Sequence, residues 1–436
     1  MPRTHRRRLA AALSGVLVAT MTLPAMGATT TDVAADADWI MSARFSDGAI
    51  ANYVDRQAVW PYLSNFAAMG LARATKVTGN TTYLQAAWAW LSWYQAHENS
   101  SGFVTDYRLV NGVLTSTNDM DSTDSYAGTF LLAAREAYRV NNGLTKLKGL
   151  ANGIAGAVRA IEATQDADGL TWAKPAWHVK YLMDQAEVYA GLLAAVDMAN
   201  AIGNSTLAQQ ASADAARMKK GVDALWNPLV AAYDWAVHDT GARQATGWNV
   251  IYSDSLQQAW AVAFGLVDGT RSPTLLTKLN TAQPNWHLPA ATALFDNGAT
   301  QTVGYWPVAG WAFNAINSAV SAGAALDIRA AALSAGRAWP FTTGNAGQLI
   351  LFETNYSLPL ATSTTTGTPS STTSTTTTTV KPATAQATTT TIKPTTTTAK
   401  PATTSTTAKP TTTTTALVSA AASVSPPSAS GSVTGT

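Results

Sequence analysis

The chain has 436 residues, 46% of them hydrophobic, no cysteine and a formal net charge of +2. That near-neutral balance excludes an extended nucleic-acid surface, which needs a strong basic patch. With no cysteine, burial alone must hold the fold, and a chain of this length can bury enough.

Residues 1–27 read as a secretory signal. Arg3, Arg6, Arg7 and Arg8 make a basic start, an apolar run extends from Leu9 to Leu23, and Ala25 and Gly27 suit cleavage. An extracellular location is therefore expected. The run is too short to span a bilayer, and no later stretch of about 20 uninterrupted apolar residues occurs, so no membrane span is expected.

Between 32 and 358 the apolar spacing is helical. It predicts helices near 32–46, 60–78, 81–97, 119–141, 143–165, 178–201, 204–226, 252–268, 271–283, 304–322, 325–338 and 345–356. Tight turns join some of them in pairs, "TGN" at 78–80, "NNG" at 141–143 and "IGNS" at 202–205. Long loops at 98–118, 166–177, 227–251 and 284–303 separate one pair from the next, with small β-hairpins expected in the first two. One set of helix ends is thus plain and the other elaborated. Helices connected this way close into an inner and an outer ring, an all-α (α/α)6 barrel over 28–360 that is expected to act as a monomer. An open solenoid of stacked pairs is the alternative.

From Ala361 to residue 436 the composition collapses to Thr, Ser, Pro, Ala and occasional Lys. Such a segment has too few large apolar side chains to offset the entropy of ordering it. It is expected to be a disordered tail or linker, of the composition of O-glycosylated stalks, reaching toward a cell wall or a glycan partner.

A weak internal repeat supports the ring. Each helix after a long loop carries an aromatic residue beside small ones: "NFAAMGLA", "SYAGTFLLA", "VYAGLLAA", "AWAVAFGL" and "GWAFNAI". The aromatics Phe66, Tyr126, Tyr189, Trp260 and Trp311 are 60, 63, 71 and 51 residues apart. Small residues beside them let crowded helices approach closely.

On that register Asp121 and Asp184 share one position, five residues before the aromatic, and Asp124 and Glu187 share another, two before it. Residues three apart lie on one helix face, so all four acids would point into the mouth of the ring. Acids at a helix start also interact favourably with free N–H groups and the dipole, and Asn118 or Asp119 is a plausible cap. Asp124 and Glu187 lie too deep for capping to explain them. Carboxyls gathered by facing helices suit glycoside cleavage, one donating a proton and the other activating water or stabilising the transition state.

Other candidates surround these four. Asp254 opens a further inner helix, as a site acid or a cap partner. Glu353 is expected to be a structural anchor rather than a site residue. His178 and Lys180 lie within reach of a substrate, with a structural His and a solvated Lys as the simpler reading. "DADG" at 166–169 is half a calcium loop, and the five His are scattered, so neither metal nor cofactor is expected. Of the 15 Trp, Trp60, Trp172, Trp177, Trp235, Trp248, Trp286 and Trp306 fall in or beside the long loops. Some must plug the mouth, and two or three are expected to line a carbohydrate groove, since flat rings complement the C–H face of a sugar.

Together these features resemble the six-hairpin glycosidase superfamily, over about residues 32–358. The spacing is most similar to the unsaturated glucuronyl hydrolases, in which a catalytic Asp begins one inner helix and a partner Asp begins the inner helix before it. The resemblance implies Asp184 in "YLMDQAEVY" as proton donor and Asp121 or Asp124 in "MDSTDSY" as its partner. No set of uronate-binding residues accompanies the match, so the sugar does not carry over. A uronate lyase or epimerase using His178, Tyr181 or Tyr126 as base, and a non-catalytic glycan-binding toroid, are the competing readings.

Overall fold

The computed structural model describes residues 28–267, 269–356 and 358. The signal at 1–27 and the Thr-rich segment from 361 lie outside them. The described helices are α1 (Thr30–Ser42), α2 (Pro61–Thr78), α3 (Thr81–Ala96), α4 (Thr123–Asn141), α5 (Leu144–Gly149), α6 (Ala151–Thr164), α7 (Leu182–Ile202), α8 (Ser205–Asp223), α9 (Asp254–Ala263), α10 (Ser272–Ala282), α11 (Pro307–Ala315), α12 (Val320–Ser334) and α13 (Thr343–Glu353).

Local chemistry sets the plain ends of the hairpins. α2 starts on Pro61, whose missing N–H is no loss at a helix start, and stops at Gly79 with φ of 76°. Asn80 then caps α3 through Thr82 N, 3.1 Å, and Asn204 caps α8 through Leu207 N, 3.1 Å. The turns at 78–80 and 202–205 therefore each end one helix and cap the next, whereas at 141–143 Asn142 ends α4 in the left-handed conformation and Gly143 gives α5 no side-chain cap.

Six helices, α2, α4, α7, α9, α11 and α13, neighbour one another in that order, and α13 returns to α2. This closes an inner ring, with α1, α3, α6, α8, α10 and α12 packed outside it. The fold is the (α/α)6 barrel. Five hairpins are consecutive in sequence; the sixth pairs α13 with α1, the last helix with the first. All six inner helices follow the longer connections, so their N-termini share one end of the barrel.

Small residues make the ring possible. A Cβ on Gly70 of α2 would lie 2.4 Å from Gly347 Cα of α13, and one on Gly191 of α7 would lie 2.5 Å from the Gly128 carbonyl oxygen of α4. These are backbone approaches no larger residue permits.

Three expectations are corrected. The segment 143–165 is two helices, broken after Gly149, and Gln95 satisfies both freed groups: its side chain accepts from Gly153 N at 2.8 Å and donates to Gly149 O at 3.1 Å. The helix expected from 178 starts at Leu182, because Val179–Tyr181 pairs instead with Ala236–His238. Of the two expected hairpins only the first forms, Tyr107–Val110 with Val113–Ser116; the loop 166–177 has isolated bridges. Further hairpins, Trp226–Asn227 with Ala232–Tyr233 and Thr292–Phe295 with Thr300–Thr302, arise in the third and fourth loops. Among the described residues no helix is long and apolar enough to cross a membrane.

Candidate active site

The elaborated end of the ring gathers the acids. Asp124 is the second residue of α4, and Asp184 and Glu187 lie in the first two turns of the neighbouring α7. All three are buried. Asp121 stands two residues ahead of α4, open to solvent at the mouth. The register equivalence of Asp121 with Asp184 therefore breaks: one is in a loop, the other inside a helix.

Neither Asn118 nor Asp119 caps α4. The cap position belongs to Ser122, whose hydroxyl is diverted from the helix to donate to Asp124 Oδ1 at 2.6 Å and lies 3.3 Å from Asp184 Oδ2. Asp119 instead pairs with Lys174 at 3.0 Å on the surface. Because α4 starts later than expected, Asp124 lies within the first turn and does accept a backbone N–H, from Ser125 at 2.8 Å. Thr171 Oγ1 holds its other oxygen at 2.6 Å. With three donors Asp124 is fixed as a carboxylate.

Burial, followed by the charges of Asp124, Glu187 and Asp121, pushes Asp184 well above the usual carboxylate range. Burial outweighs the three donors to Asp124, bringing it to about 6. Glu187 is pushed to about 8 by burial, although Tyr62 OH at 2.7 Å and Trp260 Nε1 at 3.0 Å both donate to its Oε1. Ser125 Oγ stands beside both Glu187 and Asp184 and opposes the rise of each. Asp121, though its side chain reaches solvent, is crowded by protein at the mouth, and that desolvation raises it against the opposing pull of Lys174. The mouth thus holds Glu187 neutral at neutral pH and Asp184 pushed well above the usual carboxylate range, beside Asp124 at about 6.

Aromatic rings wall this hollow. Tyr62 stacks on Tyr126, ring centres 6.4 Å apart, and Tyr252 stacks on Trp306 at 5.2 Å. Tyr181 stacks on Trp235 at 6.1 Å and accepts from Trp177 Nε1 at 3.1 Å. The charges of Asp121 and Asp184 act on both Tyr181 and Tyr252.

The remaining candidates divide. Trp177 and Trp306 stand at the mouth, and Trp60 precedes α2 there. Trp286 is fully buried against Phe313 and is a plug. Trp172 lies under Lys180 Nζ at 4.0 Å and beside His178, and Trp248 faces Lys278. His178 is exposed, with Nε2 3.0 Å from Pro175 O. Lys180 is not solvated: it is buried between Asp166 and Asp168, each at 2.8 Å, which explains the "DADG" acids. Asp254 heads α9 and accepts from Gly247 N at 2.7 Å; burial brings it to about 6. Glu353 is an anchor, ion-paired with Arg329. Among the described residues no acid or His cluster has the geometry to hold a metal.

The sequence reading missed Tyr62, Asp106, Ser122, Tyr252 and Trp339. Tyr62 had a signal, heading the first inner helix just after Pro61. Asp106, taken up to about 7 by burial and accepting from Tyr126 OH at 2.8 Å, lies in a loop with no periodic pattern.

A closed inner ring of this kind is also the fold of solved glycosidases. No protein-family model matches the chain, and no curated protein matches it. Solved structures do. A wild-type glycosidase is similar with TM-score 0.55 at 14% identity, over 76% of this chain and 97% of that one. A glycosidase variant in complex with glucose has TM-score 0.55 at 13% identity, over 75% and 96%. A family 63 mannosylglycerate hydrolase from Thermus thermophilus, also with glucose, has TM-score 0.53 at 12% identity, over 73% and 98%. At such identities the likeness shows the fold.

Proposed function

We propose that the chain is a secreted glycoside hydrolase that cleaves an extracellular oligo- or polysaccharide. The observation that carries this is the convergence of Asp121, Asp124, Asp184 and Glu187 at one ring end, where burial and its acid neighbours push Asp184 well above the usual carboxylate range. In this reading Asp184 donates its proton to the leaving glycosidic oxygen. Asp121, the acid open to solvent, activates the attacking water or stabilises the oxocarbenium-like transition state. Asp124 touches no solvent; its charge, carried through Ser122, keeps Asp184 protonated and oriented. Glycosidases among the similar folds and the basic, apolar signal at 1–27 support the class and the export.

A uronate lyase needs a ready base. Burial raises the pKa of both Tyr181 and Tyr126, which withholds the phenolate. The discriminating experiment is a glycan-library digest with the full chain, Asp184→Asn and Asp121→Asn. Release of sugars, lost by about 100-fold or more in folded Asp184→Asn, is expected. An Asp184→Asn variant with undiminished turnover, or products with the ultraviolet absorbance of an unsaturated uronate, would overturn the reading.

A further inference from the structure

We propose that Trp339 and Trp60 form a stacking platform for a neutral pyranose ring of the substrate, beyond the sugars at the cleaved bond. This deepens the hydrolase reading and rests on it. The platform makes the substrate an oligosaccharide or a polysaccharide chain rather than a simple glycoside.

Trp339 lies in the connection before α13, and Trp60 immediately precedes α2. These are adjacent inner helices, so both indoles stand at the mouth. Their rings meet edge to face, centres 6.2 Å apart. Trp339 is 48% exposed, a large apolar surface left to water. Two residues beyond Trp60, Tyr62 donates to Glu187, so the platform continues directly into the wall of the acid hollow.

The exposed ring is not on a loose segment. Buried Asn52 ties both loops together: its side-chain oxygen accepts from Trp60 N at 2.7 Å, and its carbonyl accepts from Thr343 N at 2.9 Å. Tyr53 OH donates to Arg337 O at 2.8 Å, two residues before Trp339. Two residues after it, Phe341 is fully buried against Trp39 and Tyr305. A rigidly held, half-exposed indole is pre-organised, so stacking a ligand on it costs little ordering entropy. Indole faces complement the C–H face of a pyranose. The loop's own guanidinium, Arg337, is committed to Asp36 at 2.6 Å, so that side chain is not free to pair with a uronate, which favours a neutral sugar.

The test uses the full chain and the glycan it cleaves best, as oligomers from the disaccharide upward, with Trp339→Ala and Trp339→Phe. Expected is a fall of about tenfold in the ratio of kcat/KM on long oligomers to that on the disaccharide for Trp339→Ala, largely restored by Trp339→Phe. An unchanged ratio, through equal loss at every length or none, overturns the platform while leaving the hydrolase reading intact. Binding of the same variants on a glycan array separates the two further. A chain that cleaves nothing yet loses glycan binding in Trp339→Ala sinks the hydrolase and keeps the platform. A chain that neither cleaves nor binds any glycan sinks both.

Discussion

At the scale of single residues, the acid hollow trades stability for chemistry. Glu187 rises from 4.5 to about 8 on folding. Below its unfolded value the group is protonated in both states and its contribution is fully present. Above it, the folded chain still holds the proton that the unfolded chain has lost, so stability falls as pH rises through about 8. Glu187→Gln keeps the acceptor for Tyr62 and Trp260 and places an amide donor beside the Ser125 hydroxyl. Its melting temperature should therefore exceed that of the wild type by a margin that widens from about pH 5 to about pH 8. A margin independent of pH would mean that Glu187 is ionised. Ser122 is the second residue of consequence, because it joins Asp124 to Asp184. Ser122→Ala should leave the fold intact, lower kcat, and shift the pH profile of kcat by altering the donor's pKa. Loss of activity with an unmoved profile would make Ser122 merely structural.

At the scale of elements, inner helices and their register were legible because crowding dictates a pattern: an aromatic to fill, small residues to approach. Gly128 and Gly191 are that pattern in three dimensions, one turn beyond the acids. A Cβ on Gly128 would lie 2.9 Å from Glu187 O on the neighbouring helix. Gly128→Ala should cost about 1–3 kcal/mol by denaturant titration and reduce kcat, since α4 and α7 carry Asp124 and Asp184, which Ser122 must join. Full stability in that variant would show that the helices separate freely. The loops were less legible, for a physical reason. Ser122, Asp106, Tyr252 and Trp339 owe their places to partners such as Tyr126 and Asn52 that are distant in sequence, and no local periodicity records such a partner. Lys180 was misread for the same cause, its two carboxylates being supplied by the preceding loop.

At the scale of the whole molecule, a ring must be closed by its ends. Five hairpins form from neighbouring sequence, but the sixth joins α13 to α1 across nearly the length of the barrel. A buried ion cluster marks that seam. Arg329 of α12 bonds Asp36 of α1 at 2.6 Å and Glu353 of α13, while Arg337 reaches Asp36 at 2.6 Å. Arg329, Asp36 and Glu353 are nearly inaccessible to water. Removing the shared partner strands an acid: Arg329→Met should leave buried Glu353 without a counter-charge and Asp36 with Arg337 alone, and cost about 3–5 kcal/mol. The measured consequence would be a melting temperature lower by roughly five degrees, in one cooperative transition. Replacing the ion pair together, Arg329→Met with Glu353→Leu, removes the stranded charge while keeping the Asp36–Arg337 pair, and should recover most of the loss. If the single variant melts with the wild type, the seam closes by apolar packing alone. If the double variant is worse than the single, the charges hold the two ends in register rather than merely together.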